Sequence, residues 1–356
     1  MSRIAIVGAG IIGATLAYRL AQGGHDIVVI DQAGVASGAS GTSFGWLNAS
    51  FHHDEAHFRL RAQGLKAWKE LGRKVELPIN WCGALWWEEQ GAGLERMAQK
   101  LAMLEYPVSH LTQTEARALE PELVGIPDEV LRFPSEGVIE LDSAARKLLR
   151  ASGARCLFGT PVQGVSEANG RVTGVITPQG KILSDQVIVA SGNGAPKLLE
   201  TLGIPLPMLS RPGLLMRTKP LSKKVDQVLV TPDQEVRQLP DGRLLAPTSA
   251  SHQSDNTEEI TESMEKLAAA AASRVGKLLG EPGLGWSEVA LAYRPVPEDG
   301  LPVIGAAGPK GLYVAVMHSG ATLAAVAADL LADEMEGEGR SPLLAPYTVE
   351  RFSLSE

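Results

Sequence analysis

Residues 3–17 read RIAIVGAGIIGATLA. Arg3–Val7 is a short β-branched run that predicts a buried strand. It enters Gly8-Ala9-Gly10-Ile11-Ile12-Gly13, and a helical pattern then runs from Ile11 to Ala21 and closes at Gly23-Gly24. A second strand, Ile27–Ile30, ends at Asp31. Strand, glycine turn, helix, strand and terminal acid are the parts of a dinucleotide-binding β-turn-α-β unit. Gly8 permits the tight turn, Gly10 lets backbone approach a pyrophosphate, and Gly13 lets the helix pack against the strand. The free N–H groups and positive dipole end of the helix attract the phosphates. A carboxylate at Asp31 stands where it can accept hydrogen bonds from adenosine ribose hydroxyls.

The motif by itself does not choose between FAD and NAD(P), and an ordinary NAD(P)-dependent Rossmann dehydrogenase is the first alternative. The next segment favours FAD. Ala33–Gly45 reads AGVASGASGTSFG, in which eleven of thirteen residues are Gly, Ala, Ser or Thr. Such residues bury little and cost backbone entropy. They suit a backbone that runs beside a long extended ligand, with Ser40, Thr42 and Ser43 offering hydroxyls to its phosphates.

Bulk composition narrows the rest. The chain has 356 residues, 44% hydrophobic and 21% charged, which predicts two structural units. A net charge of −8 argues against a nucleic-acid surface. Cys82 and Cys156 lie far apart with no metal-ligand spacing, so neither a disulfide scaffold nor a zinc site is expected. Met1–Leu20 lacks a basic n-region and a cleavage site, and no long run is uninterruptedly apolar. A cytoplasmic protein with no membrane span is the expectation.

Further along, helices are predicted at His57–Leu71, Leu94–Glu105, Thr114–Glu120, Asp142–Ala151 (with Asp142 as its cap) and Ile260–Leu279. Cys156–Ala190 reads as alternating strands with turns at Asn169-Gly170 and Gln179-Gly180. Strand patterns recur at Leu214–Thr218, Gln227–Val230 and Leu244–Ala246. Near the end, YRPVPEDGLPVIG (Tyr293–Gly305) precedes a strand, Gly311–Met317, then His318-Ser319-Gly320 and a helix from Ala321 to Met335.

Taken together, GAGIIG with Asp31, the ASGASG loop, Pro161-Val162, VIVASGNGA (Val187–Ala195), RPVPEDGLPVIG and HSGATLA (His318–Ala324) resemble the D-amino-acid-oxidase/glycine-oxidase superfamily of FAD oxidoreductases. That superfamily also holds sarcosine oxidases and D-amino acid dehydrogenases. The matching pieces span nearly the whole chain in the family's order. The resemblance implies an α/β fold: a Rossmann-type FAD-binding domain, discontinuous over 1–80, 143–207 and 285–356, with an inserted mixed-sheet substrate domain over 81–142 and 208–284. It implies that Val162 meets the adenine region and that Ala190, Ser191 and Gly192 pass near the ADP half. It further implies that Gly320–Leu323 starts a helix beneath the flavin pyrimidine ring, where a helix N-terminus stabilises negative charge on N1–C2=O. The full cofactor set is Gly8, Gly10, Ile11, Ile12, Gly13, Asp31, Gln32, Ala39, Ser40, Thr42, Ser43, Gly45, Trp46, Leu47, Val162, Ala190, Ser191, Gly192, Arg294, Ser319, Gly320, Ala321, Thr322 and Leu323.

The activity implied is oxidation of a small amine or amino acid by hydride transfer from its α carbon to flavin N5. This chemistry asks for positioning more than for a strong base. Arg294 is the leading cation for a substrate carboxylate or the flavin edge, since Arg binds carboxylates bidentately. Trp46, Asn48 and His52 are candidates for the active-site face; Arg211 and Arg217 are weaker cation candidates. His52, His53 and His57 lack a third metal ligand of clear type and read as solvated histidines at a helix start. Two departures matter. Glycine-oxidase-like members carry a carboxylate-binding arginine before the last helix, and His318-Ser319-Gly320-Ala321 has none. Monomeric sarcosine oxidases carry a flavin-linking cysteine near the position of Arg294–Val296, and none stands here, so non-covalent FAD is expected. The electron acceptor, O2 or a quinone or carrier, is not written in any motif, nor is homo- or hetero-oligomeric assembly. A flavin subunit of a larger electron-transfer complex is the second alternative.

Overall fold

A computed structural model describes residues 1–250 and 256–353. Arg3–Val7 forms the centre of a six-stranded sheet because four of its five side chains are apolar and fully enclosed. It pairs in parallel with Asp26–Ile30 on one side and Gln186–Val189 on the other. Arg155–Leu157 extends the first side, and Leu312–Val316 with antiparallel Val303–Ala306 extends the second. The chain order therefore reverses at Arg3–Val7, which is where open α/β sheets leave a crevice for ligands. Helix Ile11–Gln22 packs between helices Leu141–Ser152 and Gly320–Glu336. Small residues Gly13, Ala14 and Ala17 on its buried surface permit that close packing.

An eight-stranded mixed sheet forms the second layer, in the order Trp286–Tyr293, Pro212–Thr218, Leu244–Pro247, Glu235–Gln238, Val228–Val230, Ala84–Trp86, Glu129–Phe133, Ser109–Thr112. Helix Met264–Leu279 covers one face, with Ala268, Ala271 and Val275 in one apolar cluster with Met216, Leu229 and Leu244. Ser263 caps this helix through Lys266 N, so it starts later than the Ile260 expected from periodicity. The opposite face, through Leu215, Val228 and Leu245, joins the main core.

Two further sequence expectations need correcting. Trp286–Tyr293, expected with the cofactor-binding part from residue 285, pairs with Pro212–Thr218 in the eight-stranded sheet; the chain rejoins the six-stranded sheet only at Val303–Ala306. Asp142 does not cap its helix: Glu140 holds the N-cap position, and Asp142 sits in the first turn, where its charge still favours the dipole. The alternating strands expected over Cys156–Ala190 are present: those of 164–183 form a three-stranded antiparallel sheet, while Arg155–Leu157 and Gln186–Val189 join the six-stranded one. The hairpin at Asn169-Gly170 has φ of 55° and 71°, as a tight two-residue turn requires. Among the described residues, no helix is long and apolar enough to cross a membrane.

Candidate active site

A cleft of about 790 Å³ opens at the carboxyl end of Arg3–Val7. Its lining runs from Asp31 and Gln32 through Gly8, Gly10 and Ser40 to Val162, Ala190, Ser191 and Gly192. Gly8 has φ of 114°, and a Cβ there would strike the carbonyl of Ala190. A Cβ on Gly13 would strike Gly8 O, so this glycine sets the helix–strand distance rather than touching the cleft. Gly10 differs: its Cβ position faces Ser40 Oγ at 3.1 Å and no backbone. Ser40 Oγ accepts from Ile11 N (3.0 Å), at the unfilled start of the helix.

Asp31 has a role that the motif did not announce. Its carboxylate accepts from Ala9 N (2.9 Å), Ala33 N (2.8 Å) and Gly34 N (3.0 Å), tying the glycine turn to the small-residue loop. Each such charge-assisted bond is stronger than a neutral one.

The cleft continues into an inner cavity of about 170 Å³ that shares Ile11, Ile12, Ser40, Thr42, Pro295 and Met317 with it. Phe44, Gly45, Trp46, Asn48, Arg61, Leu214, Leu215, Pro247, Arg294, His318, Ser319 and Gly320–Thr322 also line this cavity. Gly45, with φ of 69°, lies so close to Ile139 O that no side chain fits. Arg237, which sequence reading passed over, holds this turn: buried, it donates to Phe44 O (2.5 Å) and pairs with Glu140 (2.6 Å).

Arg294 reaches the cavity wall from the start of the return crossing. Its guanidinium lies 3.4 Å from the carbonyls of Arg211 and Pro212. Arg211 and Arg217 are ion-paired with Glu258 (3.1 Å) and Glu288 (2.7 Å).

Several expected site residues lie elsewhere. His52 does not line the cavity: its Nδ1 meets Ala49 O (3.1 Å) and its ring stacks edge-on against Phe58. Leu47 and Leu323 point into the core, because strand and helix periodicity alternate them away from the cavity. His57 is not solvated; it is buried on the helix Glu55–Val75, and desolvation drives its pKa down to about 3, leaving it neutral.

The residue most missed is Arg61. It is 3% exposed, yet it lines the inner cavity. Its Nε donates to Asn48 O (3.1 Å), Nη2 to Asn48 Oδ1 (2.5 Å) and Nη1 to Ser319 Oγ (2.6 Å). The signal was present: His57, Phe58, Leu60, Arg61, Gly64, Leu65 and Trp68 form one buried stripe. An arginine in such a stripe requires an internal partner. Nearby, Glu136 is fully buried, accepting from Ala49 N, Ser50 N and Tyr106 OH, and burial raises its carboxyl to about 7.

FAD fits this arrangement by the donors it would satisfy. Trp46 Nε1, in the inner cavity, and Ser191 Oγ, in the outer cleft, are buried without a protein partner. Unmet buried donors at both ends suit a long ligand with acceptors along its length.

Comparison with known proteins accords with this geometry. A family model described as FAD dependent oxidoreductase matches residues 3–334. Glycine oxidase of Pseudomonas aeruginosa is 26% identical, covering 97% of this chain and 98% of its own. D-amino acid dehydrogenase of Cereibacter sphaeroides is 24% identical, covering 99% and 95%. Among solved structures, glycine oxidase from Geobacillus kaustophilus superposes with a TM-score of 0.87 at 23% identity, over 99% of both chains.

Proposed function

This chain belongs to the FAD dependent oxidoreductase family, and from that premise we propose that it oxidises a small amine or amino acid at its α carbon. The observation that carries this reading is the single continuous cleft from the Asp31 turn to an inner cavity where a helix N-terminus, an arginine and apolar walls converge. Bound FAD supplies the acceptor for the hydride that leaves the substrate. The protein's part is orientation. Arg294 is the candidate clamp for a substrate carboxylate, its planar fork fixing two points at once. Leu214, Leu215 and Pro247 form an apolar wall that excludes water from the reacting carbon. No basic side chain need accept a proton if the amine enters neutral.

The six-stranded part would hold FAD and the eight-stranded part would wall the substrate side. Cys82 and Cys156 line neither cavity, which supports a non-covalent cofactor. The glycine oxidase and D-amino acid dehydrogenase relatives support an amino-acid substrate while leaving O2 and a quinone or carrier both open as acceptor.

The test is anaerobic mixing of the purified protein with amines, amino acids of both hands and 2-hydroxy acids, following loss of oxidised-flavin absorbance. Bleaching by an amine or amino acid is expected, with FAD released on denaturation. Bleaching only by hydroxy acids would overturn the substrate class, and flavin retained on precipitated polypeptide would overturn the non-covalent link. Readmitting O2, then a soluble quinone, to the bleached protein identifies the acceptor.

A further inference from the structure

Helix Glu55–Val75 turns three residues of one stripe toward the first turn of Gly320–Glu336. Arg61 Nη1 donates to Ser319 Oγ (2.6 Å), Trp68 Nε1 donates to Ala321 O (2.7 Å), and a Cβ on Gly64 would stand 2.5 Å from Thr322 O. Spacings of three and four residues put these on one helical face. Asn48 joins from the other side, its N–H donating to Thr322 Oγ1 (3.2 Å).

Arg61 is the unusual member. All three of its hydrogen bonds go to neutral acceptors, and among the described residues no carboxylate is in direct contact with it; the buried Glu136, whose carboxyl is itself raised to about 7, acts on it only through space. Burial lowers the pKa of Arg61 to about 10, which leaves it cationic at neutral pH. A buried cation whose nearest carboxyl is not in contact and is only partly ionised near neutral pH is costly, and further negative charge in its field offsets that cost. Its field falls on the N-terminus of Gly320–Glu336, which already carries positive potential.

We propose that Arg61 is a positioning residue that fixes the start of helix Gly320–Glu336 through Ser319 and adds a buried positive charge there, so that negative charge arriving on the bound flavin is stabilised. This rests on the family reading, in which that first turn faces the flavin. Arg61 acts through Ser319 and through space, and Arg294 keeps the role of substrate clamp. The two arginines thereby divide the labour: one sets the electron affinity of the cofactor, the other orients what is oxidised.

The test uses the FAD-bound protein and two readouts, the two-electron midpoint potential of the flavin and its affinity for sulfite, which adds to electron-poor flavins. Arg61→Met should weaken sulfite binding by about tenfold or more and lower the potential by about 30 mV, the equivalent of tenfold for a two-electron couple. Arg61→Lys keeps charge without the fork, so it should recover most of the potential while still lowering the melting temperature. If the Met variant does not fold, Arg61→Gln, which retains a donor for Asn48 or Ser319, takes its place. Potentials and sulfite affinities equal to wild type in the neutral variant overturn the proposal. As a control, benzoate serves as a simple carboxylate probe followed by the flavin spectrum: an unchanged potential with sharply weakened benzoate binding overturns the proposal too and moves Arg61 to the substrate carboxylate. A wild-type chain that binds no FAD overturns the family reading itself, an outcome separate from equal potentials in FAD-bound protein.

Discussion

Two helix N-termini face the cleft, and they are built in opposite ways. At Gly10 the helix Ile11–Gln22 begins with no side chain at its N-cap, and Ser40 from the following loop accepts from Ile11 N. Nearly everything that shapes it lies within the first forty residues: Gly8, Gly13, Asp31 and Ser40. At Ser319 the helix Gly320–Glu336 begins from a left-handed residue, φ of 58°, held by Arg61 and Thr322–Asn48 contacts from a distant segment. A pyrophosphate presents the same charges in every dinucleotide, so backbone N–H groups at one spacing suffice for it. On the proposed reading the flavin ring lies at the other end, and because it must be poised for a particular reaction, side chains brought from elsewhere can adjust that end without disturbing the first.

The largest expected effect falls on the local end. In Gly13→Ala the new methyl meets Gly8 O, and neither backbone segment can yield without opening the sheet. A loss of about 3 kcal/mol, the upper range for overpacking, is expected together with loss of flavin. Thermal melting and flavin content of the purified variant check this. Normal values would mean that the close helix–strand approach is dispensable, and the contrast between the two ends would weaken.

Gly64→Ala is the matching perturbation at the distant end. Its methyl would stand 2.5 Å from Thr322 O, a somewhat longer approach than at Gly13, so helix Glu55–Val75 and the first turn of Gly320–Glu336 must part to admit it. We expect a loss of about 1–2 kcal/mol. The flavin should be retained but with an altered absorbance spectrum, since the ADP half is untouched. Equal loss of FAD in both glycine variants would show that the two ends are one cooperative unit.

Asp31→Asn tests whether the local end depends on charge or only on shape. Asparagine keeps one acceptor for Ala33 N and Gly34 N but turns either a donor or nothing toward Ala9 N. A cost near 1.5 kcal/mol, about tenfold in FAD affinity, follows from one lost charge-assisted bond. Fluorescence titration of apoprotein with FAD measures it. Unaltered affinity would assign the carboxylate to neither the loop nor the cofactor.

The smallest effect is expected at His52. Sequence proximity suggests it for the active-site face, but its ring packs on Phe58 outside the inner cavity. His52→Ala should leave flavin reduction by substrate within about twofold, under 0.5 kcal/mol. A large fall in that rate would bring the histidine back to the reacting centre.

The cases of His52 and Arg61 explain how much of the site was legible. Both lie in the segment 48–68, and both are polar residues near a flavin loop. Their spacing along the helix separated them: Arg61 shares the buried stripe of Phe58, Leu65 and Trp68, whereas His52 precedes the helix that Asp54 caps. Periodicity could have marked Arg61 as buried, but nothing in its neighbourhood names Ser319, 258 residues away, as its acceptor.

The sequence by itself determined the strand–turn–helix unit, the need for glycine at positions 8 and 13, the FAD-type loop and the family. These depend mainly on steric limits of backbone and on local hydrogen bonds, which act wherever the residues occur in that order, although the space at Gly8 is also closed by Ala190 O from a distant strand end. Only the tertiary structure decided that Trp286–Tyr293 completes the eight-stranded sheet, that Asp31 braces its own loop, and that Arg61 rather than a residue beside His318 brings a buried charge to the last helix. Those facts rest on which distant surfaces meet when the apolar core closes. Burial is non-directional, so the same hydrophobic pattern is compatible with many pairings until close packing and buried charge select one.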